Sequence, residues 1–477
     1  MSVPTVAIED LSTLDVLRLR SSSAIKTTRR AFSKPSEAMP GFIALCDQGA
    51  VSITNFATAV MIGRVCGKAE LGVYSLALTL ITIATGIIST LISTPYTVFG
   101  PQLKRSRRRL YLGSILVQQL LLSGLFALII CVAAVEGRWQ GWLSSSLSNV
   151  GTITAAVIVF ISFREFVRSV SFAELKVGWA LLVDLTACLA QAAGMLLFIH
   201  WGALTVSKTY TILGVSSAVA AGGWLLLNRA TFRLDKRFYL ADLKRNWEFG
   251  RWILGSGLLW QASAYLFPWI IAAFHGSAIT GVWAACSAIV ALGNPVLLGL
   301  SNYVLPRISN VYATAGVQNM KLHVHRYSLL FIVLLVPIVV FMAAFGERLL
   351  TGIYGGGYGG TRGILVLLAL NLLVVTLAKP YSQGLFSLKC AKADTFVNVI
   401  WVALMIVVGI PAVKSYASLG AAATMLASGG IAVAIKIAVF AREAHRRLPR
   451  SGTVPPNCCM ASSPVAASPS GIPRRSI

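Results

Sequence analysis

Twelve apolar stretches run through this chain, each roughly 20 residues, the length that carries an α-helix across a hydrocarbon core. They fall near 43–64, 71–94, 111–134, 150–170, 177–199, 209–227, 252–274, 279–305, 327–346, 363–388, 395–413 and 417–441. A backbone in lipid must satisfy its own hydrogen bonds, so stretches of this length fold as helices. Only 12% of the 477 residues are charged, against roughly 25% in a soluble domain. That is too little polar surface for a water-soluble enzyme. The expected fold class is an all-α polytopic membrane protein with twelve transmembrane helices.

Basic residues in the gaps and adjoining span ends set the orientation. One side collects 33, the other 7, and Lys436 inside the last span completes the 41. The asymmetry predicts a multi-pass protein with both termini cytoplasmic. The densest runs, Lys104–Arg109 and 228–251, then serve as cytoplasmic topology determinants, and no interleaved aromatics suggest nucleic-acid binding. Trp139, Trp142, Trp201, Trp247 and Trp252 fall at span ends, where amphipathic rings anchor. The eight cysteines form no CxxC pair, and the adjacent Cys458 and Cys459 leave their modification open.

The chain divides into a basic N-terminal arm (1–42), an N-lobe of six spans (43–227), a basic cytoplasmic linker (228–251), a C-lobe of six spans (252–441) and a disordered cytoplasmic tail (442–477). The lobes are weakly self-similar. At an offset of 209, Gly67 falls on Gly276, Gly72 on Gly281, Val73 on Val282 and Tyr74 on Trp283; at 215, Arg164 falls on Lys379 and Phe166 on Tyr381. Both halves enter from one side with six spans, so the repeat is parallel, about a pseudo-two-fold along the membrane normal. Two bundles so related leave a central cleft, and rocking one against the other gives alternating access. Pro95, Pro295 and Pro380 supply bends in spans 2, 8 and 10.

No zinc-protease, Walker or acidic glycosyltransferase motif occurs, and His323 and His325 point apart on a helix. Gly355–Gly360 matches GxGxxG without the βαβ setting a dinucleotide needs, so a flexible glycine turn is expected. The longest outward gap, 135–149, is too short for a catalytic domain. The expectation is a non-enzyme with no cofactor and no metal, a secondary transporter.

Ionisable residues inside spans are costly, about 2.5–3.5 kcal/mol each on lenient scales, and mark cavities or partners. Arg164, Arg168, Lys379 and Arg64 are the candidate substrate-binding cations. Asp47, Glu165 and Asp184 are the candidate coupling or charge-pair acids. Arg164 and Arg168 share a helix face, with Asp184 at similar depth as their counter-ion and Glu165 turned about 100° away. Arg164 and Lys379, matched across the halves, face one another over the cleft in this reading and suit a pyrophosphate.

The stretch Asp47-Gln48-Gly49-Ala50-Val51-Ser52-Ile53-Thr54-Asn55-Phe56, with Gly63-Arg64, Gly67 and Glu70-Leu71-Gly72-Val73-Tyr74, resembles the first two spans of the polysaccharide-biosynthesis membrane proteins. These are the O-antigen and exopolysaccharide flippases of the multidrug/oligosaccharidyl-lipid/polysaccharide exporter superfamily. Tyr354-Gly355 and the Tyr381–Lys392 region are also similar. The resemblance implies a V-shaped pair of lobes with a cationic cleft, flipping a polyprenyl-pyrophosphate-linked oligosaccharide across the cell inner (cytoplasmic) membrane. It implies as partners that lipid-linked glycan, membrane lipids, and glycosyltransferases or a polymerase of the same pathway. Two alternatives stand beside it: a drug/cation antiporter of the same superfamily, with Asp47 as proton-coupling acid, and a non-transporting scaffold of a polysaccharide-synthesis complex.

Overall fold

In the computed structural model the described residues are 35–233 and 235–447, and among them all regular structure is helical. The basic segment 24–34 and the Cys458–Cys459 pair lie outside them. Span 1 is Pro35–Val65. Span 2 runs Lys68–Gln102, with a π-helical turn at Ser89–Ser93 just before Pro95. Spans 3 to 6 are Arg105–Trp139, Ser145–Ala173, Val177–His200 and Val206–Asn228. Lys236–Ala291 holds span 7 and the start of span 8, with non-helical backbone at Gly276. Asn294–Tyr354 holds the rest of span 8 and span 9, reversing at Gly316. Span 10 is Arg362–Ser387, and Ala391–Arg446 holds spans 11 and 12 on either side of Ala417.

Nine of these helices are long and apolar enough to cross a membrane. Three of the nine fold back at a kink, two of these sharing span 8 between them, and Pro35–Val65, made more polar by Asp47 and its neighbours, completes twelve rods among the described residues. Caps set several starts: Ser144 and Thr205 accept from the backbone N–H of Leu147 and Lys208, and Asp235 from that of Arg237, each satisfying an orphan donor. Leucines on the outside of span 3 (Leu121, Leu125, Leu128) are exposed, a lipid-facing stripe, and Trp139, Trp142, Trp201 and Trp247 lie exposed near span ends.

The repeat is legible in the backbone. Gly67 and Gly276 share one conformation, φ 90°, ψ 178° and φ 78°, ψ 179°, which only glycine adopts without strain. A Cβ on Gly72 would stand 1.8 Å from the Ser277 carbonyl oxygen, and one on Gly281 would stand 1.9 Å from that of Lys68. Residues 68 and 72 map on 277 and 281, so this is a reciprocal, self-complementary contact of the kind a two-fold axis generates. Small residues allow the backbones to approach this closely. The turns after spans 4 and 10 also match, with positive φ at Leu175 (58°) and Lys389 (56°). Their separation is 214, which sets Lys379 opposite Glu165; the expected pairing with Arg164 is off by one residue.

Core packing shows how the lobes meet. On the side where the described chain begins and ends, the terminal side, each lobe has its own core: Tyr96, Tyr111, Phe166 and Trp224 in one, Phe331, Tyr381 and Phe440 in the other. On the far side one core runs through both lobes, joining Ile62 and Tyr74 to Trp283, Tyr354 and Tyr358. The lobes are joined at the far side and separately packed at the terminal side, a V. The glycine run belongs to the join. It is an ordered turn whose Tyr358, buried, donates to the Gly63 carbonyl (3.1 Å), while Gly360 N–H donates to Glu347.

The 228–251 segment is helical from Lys236 and continuous with span 7. Its buried face is tied to the N-lobe: Asp242 to Arg107, Asn246 to Tyr111 (2.6 Å) and Gln118 (2.9 Å), and Arg245 over the Phe99 ring at 3.8 Å. Spans 2 and 7 then run side by side, with Trp269 donating to Thr79 at 2.7 Å.

Candidate functional site

The terminal-side halves of spans 1, 4 and 5 bring five charged side chains together. Arg168 donates to Asp47 (3.0 and 3.2 Å) and to Gln48 (3.0 Å), and its Nε lies 2.9 Å from Asp184 Oδ2. Arg164 Nε stands 3.6 Å from Asp184 Oδ1. Glu165 does not turn to another helix: it lies 3.5 Å from Arg164 and 3.6 Å from Arg168. The side chains of neighbouring residues are long enough to bridge the 100° between their Cα directions. Asp47 and Asp184 are fully buried and Arg164 nearly so. Three carboxylates face two guanidiniums, so this cluster has no positive charge to spare. Buried ions persist when paired in this way.

The C-lobe counterpart is built differently. A hollow of about 310 Å³ opens among spans 7, 8, 10, 11 and 12; its surface is mostly apolar and includes Trp260 and Trp401, with Ser301, Ser382, Gln383 and Asn398 set among its charged residues. Lys379 lines it, half-buried, with Ser301 Oγ at 3.4 Å and, among the described residues, no carboxylate within 4 Å. Lys436, on span 12, is paired with Asp394 at 3.0 Å and donates to Ser382 at 2.9 Å. Asp394 also accepts from Ser382 (2.7 Å) and Asn398 (3.2 Å). In the 214 register Asn398 stands where Asp184 stands in the N-lobe, and Ser382 where Arg168 stands. Lys379 itself stands where Glu165 stands, so the C-lobe carries a cation where the N-lobe carries an acid.

Arg164 does not line the hollow at Lys379. The two cations therefore form no common clasp, because Arg164 is held by Asp184 and Glu165 inside its own lobe. Arg64 is exposed at the far end of span 1. Asp394 and Lys436 escaped the sequence reading for a simple reason. The apolar run places span 11 from 395, which leaves Asp394 in the preceding loop; the helix begins at Ala391. Lys436 was visible as a lone cation inside an apolar span, which was the signal. Among the described residues no group of His, Cys, Asp and Glu is arranged to hold a metal.

No family model and no curated protein sequence matches the chain. Solved structures do. One described as the inward-facing conformation of a multidrug resistance MATE family transporter of the MOP superfamily superposes with a TM-score of 0.68 at 13% identity, over 83% of this chain and 94% of that one. The lipid II flippase MurJ in an inward closed conformation gives 0.65 at 16%, over 86% and 90%. An outward-facing conformation of a MATE transporter gives 0.54 at 14%, over 85% and 94%. At these identities the likeness is one of fold, and the fold of this multi-pass membrane protein is the two-lobed one those transporters share.

Proposed function

We propose that this chain is a secondary transporter of the MOP superfamily that flips a polyprenyl-pyrophosphate-linked oligosaccharide across the cytoplasmic membrane by alternating access, in the O-antigen or exopolysaccharide pathway. The observation that carries the reading is Lys379: among the described residues no carboxylate lies within 4 Å of its ammonium, and the hollow it lines has a mostly apolar surface whose one carboxylate, Asp394, is engaged by Lys436. Such a charge calls for an anionic group whose attached chain is itself apolar. The joined far side, the V, and the better superposition on an inward-facing than an outward-facing relative support a state loaded from the terminal side. The cation asymmetry of the loops supports that side as the cytoplasm, where glycosyltransferases of the pathway would hand over the lipid-linked glycan. The lipid substrate named for MurJ supports the class of cargo.

A second reading, a drug/cation antiporter, is favoured by the N-lobe cluster, whose surplus carboxylate suits proton or cation binding at Asp47 or Asp184. Proteoliposomes separate the readings. A fluorescent lipid-linked sugar becomes accessible to a membrane-impermeant quencher at a protein-dependent rate, and Lys379→Ala lowers that rate tenfold or more. Proton-driven efflux of an organic cation with no lipid movement supports the antiporter. Movement of neither supports a scaffold.

A further inference from the structure

The hollow holds a second ammonium that the unpaired Lys379 alone does not explain. We propose that Lys436 is a second ligand for the substrate's pyrophosphate, held in reserve by Asp394, which acts as an internal anion that the substrate displaces. The inference rests on the flippase reading above.

A pyrophosphate diester brings two negative charges. With Lys436 bound to Asp394, the hollow offers it one net positive charge, on Lys379. The second negative charge would enter a mostly apolar space with no counter-ion, which low dielectric strongly disfavours. Lys436 lines the same hollow as Lys379 and is the other cation among its lining residues. The facing groups from the remaining elements are neutral: Ser301 on span 8, Trp260 on span 7, Asn398 and Trp401 on span 11. Lys436 supplies a second cationic contact for the anion if it leaves Asp394, whose own negative charge must then be held by its other donors.

The site is built for that exchange. Asp394 does not depend on Lys436 alone, since Ser382 and Asn398 both donate to it. A carboxylate that loses its ammonium but keeps two donors stays solvated by the protein. Trp401 adds a further donor: its indole N–H is buried, lacks an acceptor and belongs to a residue lining the hollow. An unsatisfied buried donor is costly unless a ligand completes it. When the anion leaves, Asp394 recaptures Lys436, so the empty carrier returns without two bare ammoniums in the membrane. Asp394 thus limits affinity and promotes release, and it acts as a positioning residue.

The test uses the full-length protein in detergent with a farnesyl pyrophosphoryl sugar, a pyrophosphate diester, as probe, and flipping of the same probe in proteoliposomes. Asp394→Asn binds the probe about tenfold tighter than wild type, yet flips it more slowly because release is slowed. Lys436→Gln binds at least tenfold more weakly, and Asp394→Asn on top of Lys436→Gln restores no affinity. Asn398→Ala, a milder change that does not depend on folding of the Asp394 variant, weakens binding a fewfold by removing a donor from the displaced carboxylate. Unchanged or weaker binding by folded Asp394→Asn, or no loss in Lys436→Gln, overturns the inference while the Lys379 dependence still stands. If wild type neither binds nor flips the probe, the flippase reading fails, and this inference with it.

Discussion

Replacing Gly72 with alanine places a methyl carbon 1.8 Å from the backbone oxygen of Ser277, and no side-chain rotation relieves it because both atoms belong to backbones. Non-bonded Cβ atoms keep at least 3.0 Å, so spans 2 and 8 must part by about 1.2 Å at the far side. Gly281→Ala drives the same opening from the other member of the reciprocal pair, toward Lys68. Overpacking of this kind costs about 1–3 kcal/mol, and a bias of that size between two conformations shifts their ratio about 5- to 150-fold. The cost falls on the state in which the far sides touch, so both variants favour a state with the far side open. Helix propensity alone predicts the opposite sign for stability, since alanine exceeds glycine by about 1 kcal/mol. Spin labels at Ser145 and Lys414, exposed far-side positions on different lobes, read the result by pulsed electron resonance on a cysteine-depleted background. The expected outcome is a longer inter-lobe distance in both variants. Gly222→Ala, with open space around its Cβ, should leave the distribution unchanged. Wild-type distances and wild-type flipping in Gly72→Ala and Gly281→Ala would refute the close approach and, with it, the closed far side.

Other outcomes test other parts of the molecule. Asp184→Ala leaves Arg164 with Glu165 as its sole carboxylate partner among the described residues; it should destabilise the protein by about 3–5 kcal/mol in a denaturant titration in mixed micelles, as loss of one member of a buried ion pair does. The Asp184/Arg164 double variant should then lose less than the two singles together, by about 1–3 kcal/mol of coupling. Asn246→Leu removes the buried bonds to Tyr111 and Gln118 and should cost about 1–3 kcal/mol, with faster hydrogen exchange in 236–250. Arg64→Ala, at an exposed site, should change stability by no more than about 0.5 kcal/mol and leave flipping unchanged; a large fall in flipping would return Arg64 to the binding site.

The number of rods, their order, their parallel repeat and the glycines at the first turn of each lobe were legible in the chain itself. Lipid makes these local matters: a backbone that cannot bond to water must form helix wherever about 20 apolar residues follow one another. The 209-residue match of Gly67 and Gly72 with Gly276 and Gly281 reflects a backbone conformation and a close approach that only glycine permits, so it survives in sequence. The helical extension of span 7 was not legible, because its basic face reads as a loop until Asp242 and Asn246 are seen buried against the N-lobe. The fate of the charges was legible only in part. Asp184 was expected as the counter-ion of Arg164 and Arg168 from its depth, and it lies beside both. Only packing decides that Glu165 joins them, that no carboxylate among the described residues comes within 4 Å of Lys379, and that Asp394 on span 11 meets Lys436 on span 12. An ion's worth in the membrane depends on which opposite charge lies within a few ångströms, and packing brings that neighbour from the same helix, as with Glu165, or from another, as with Asp184, Asp47 and Asp394.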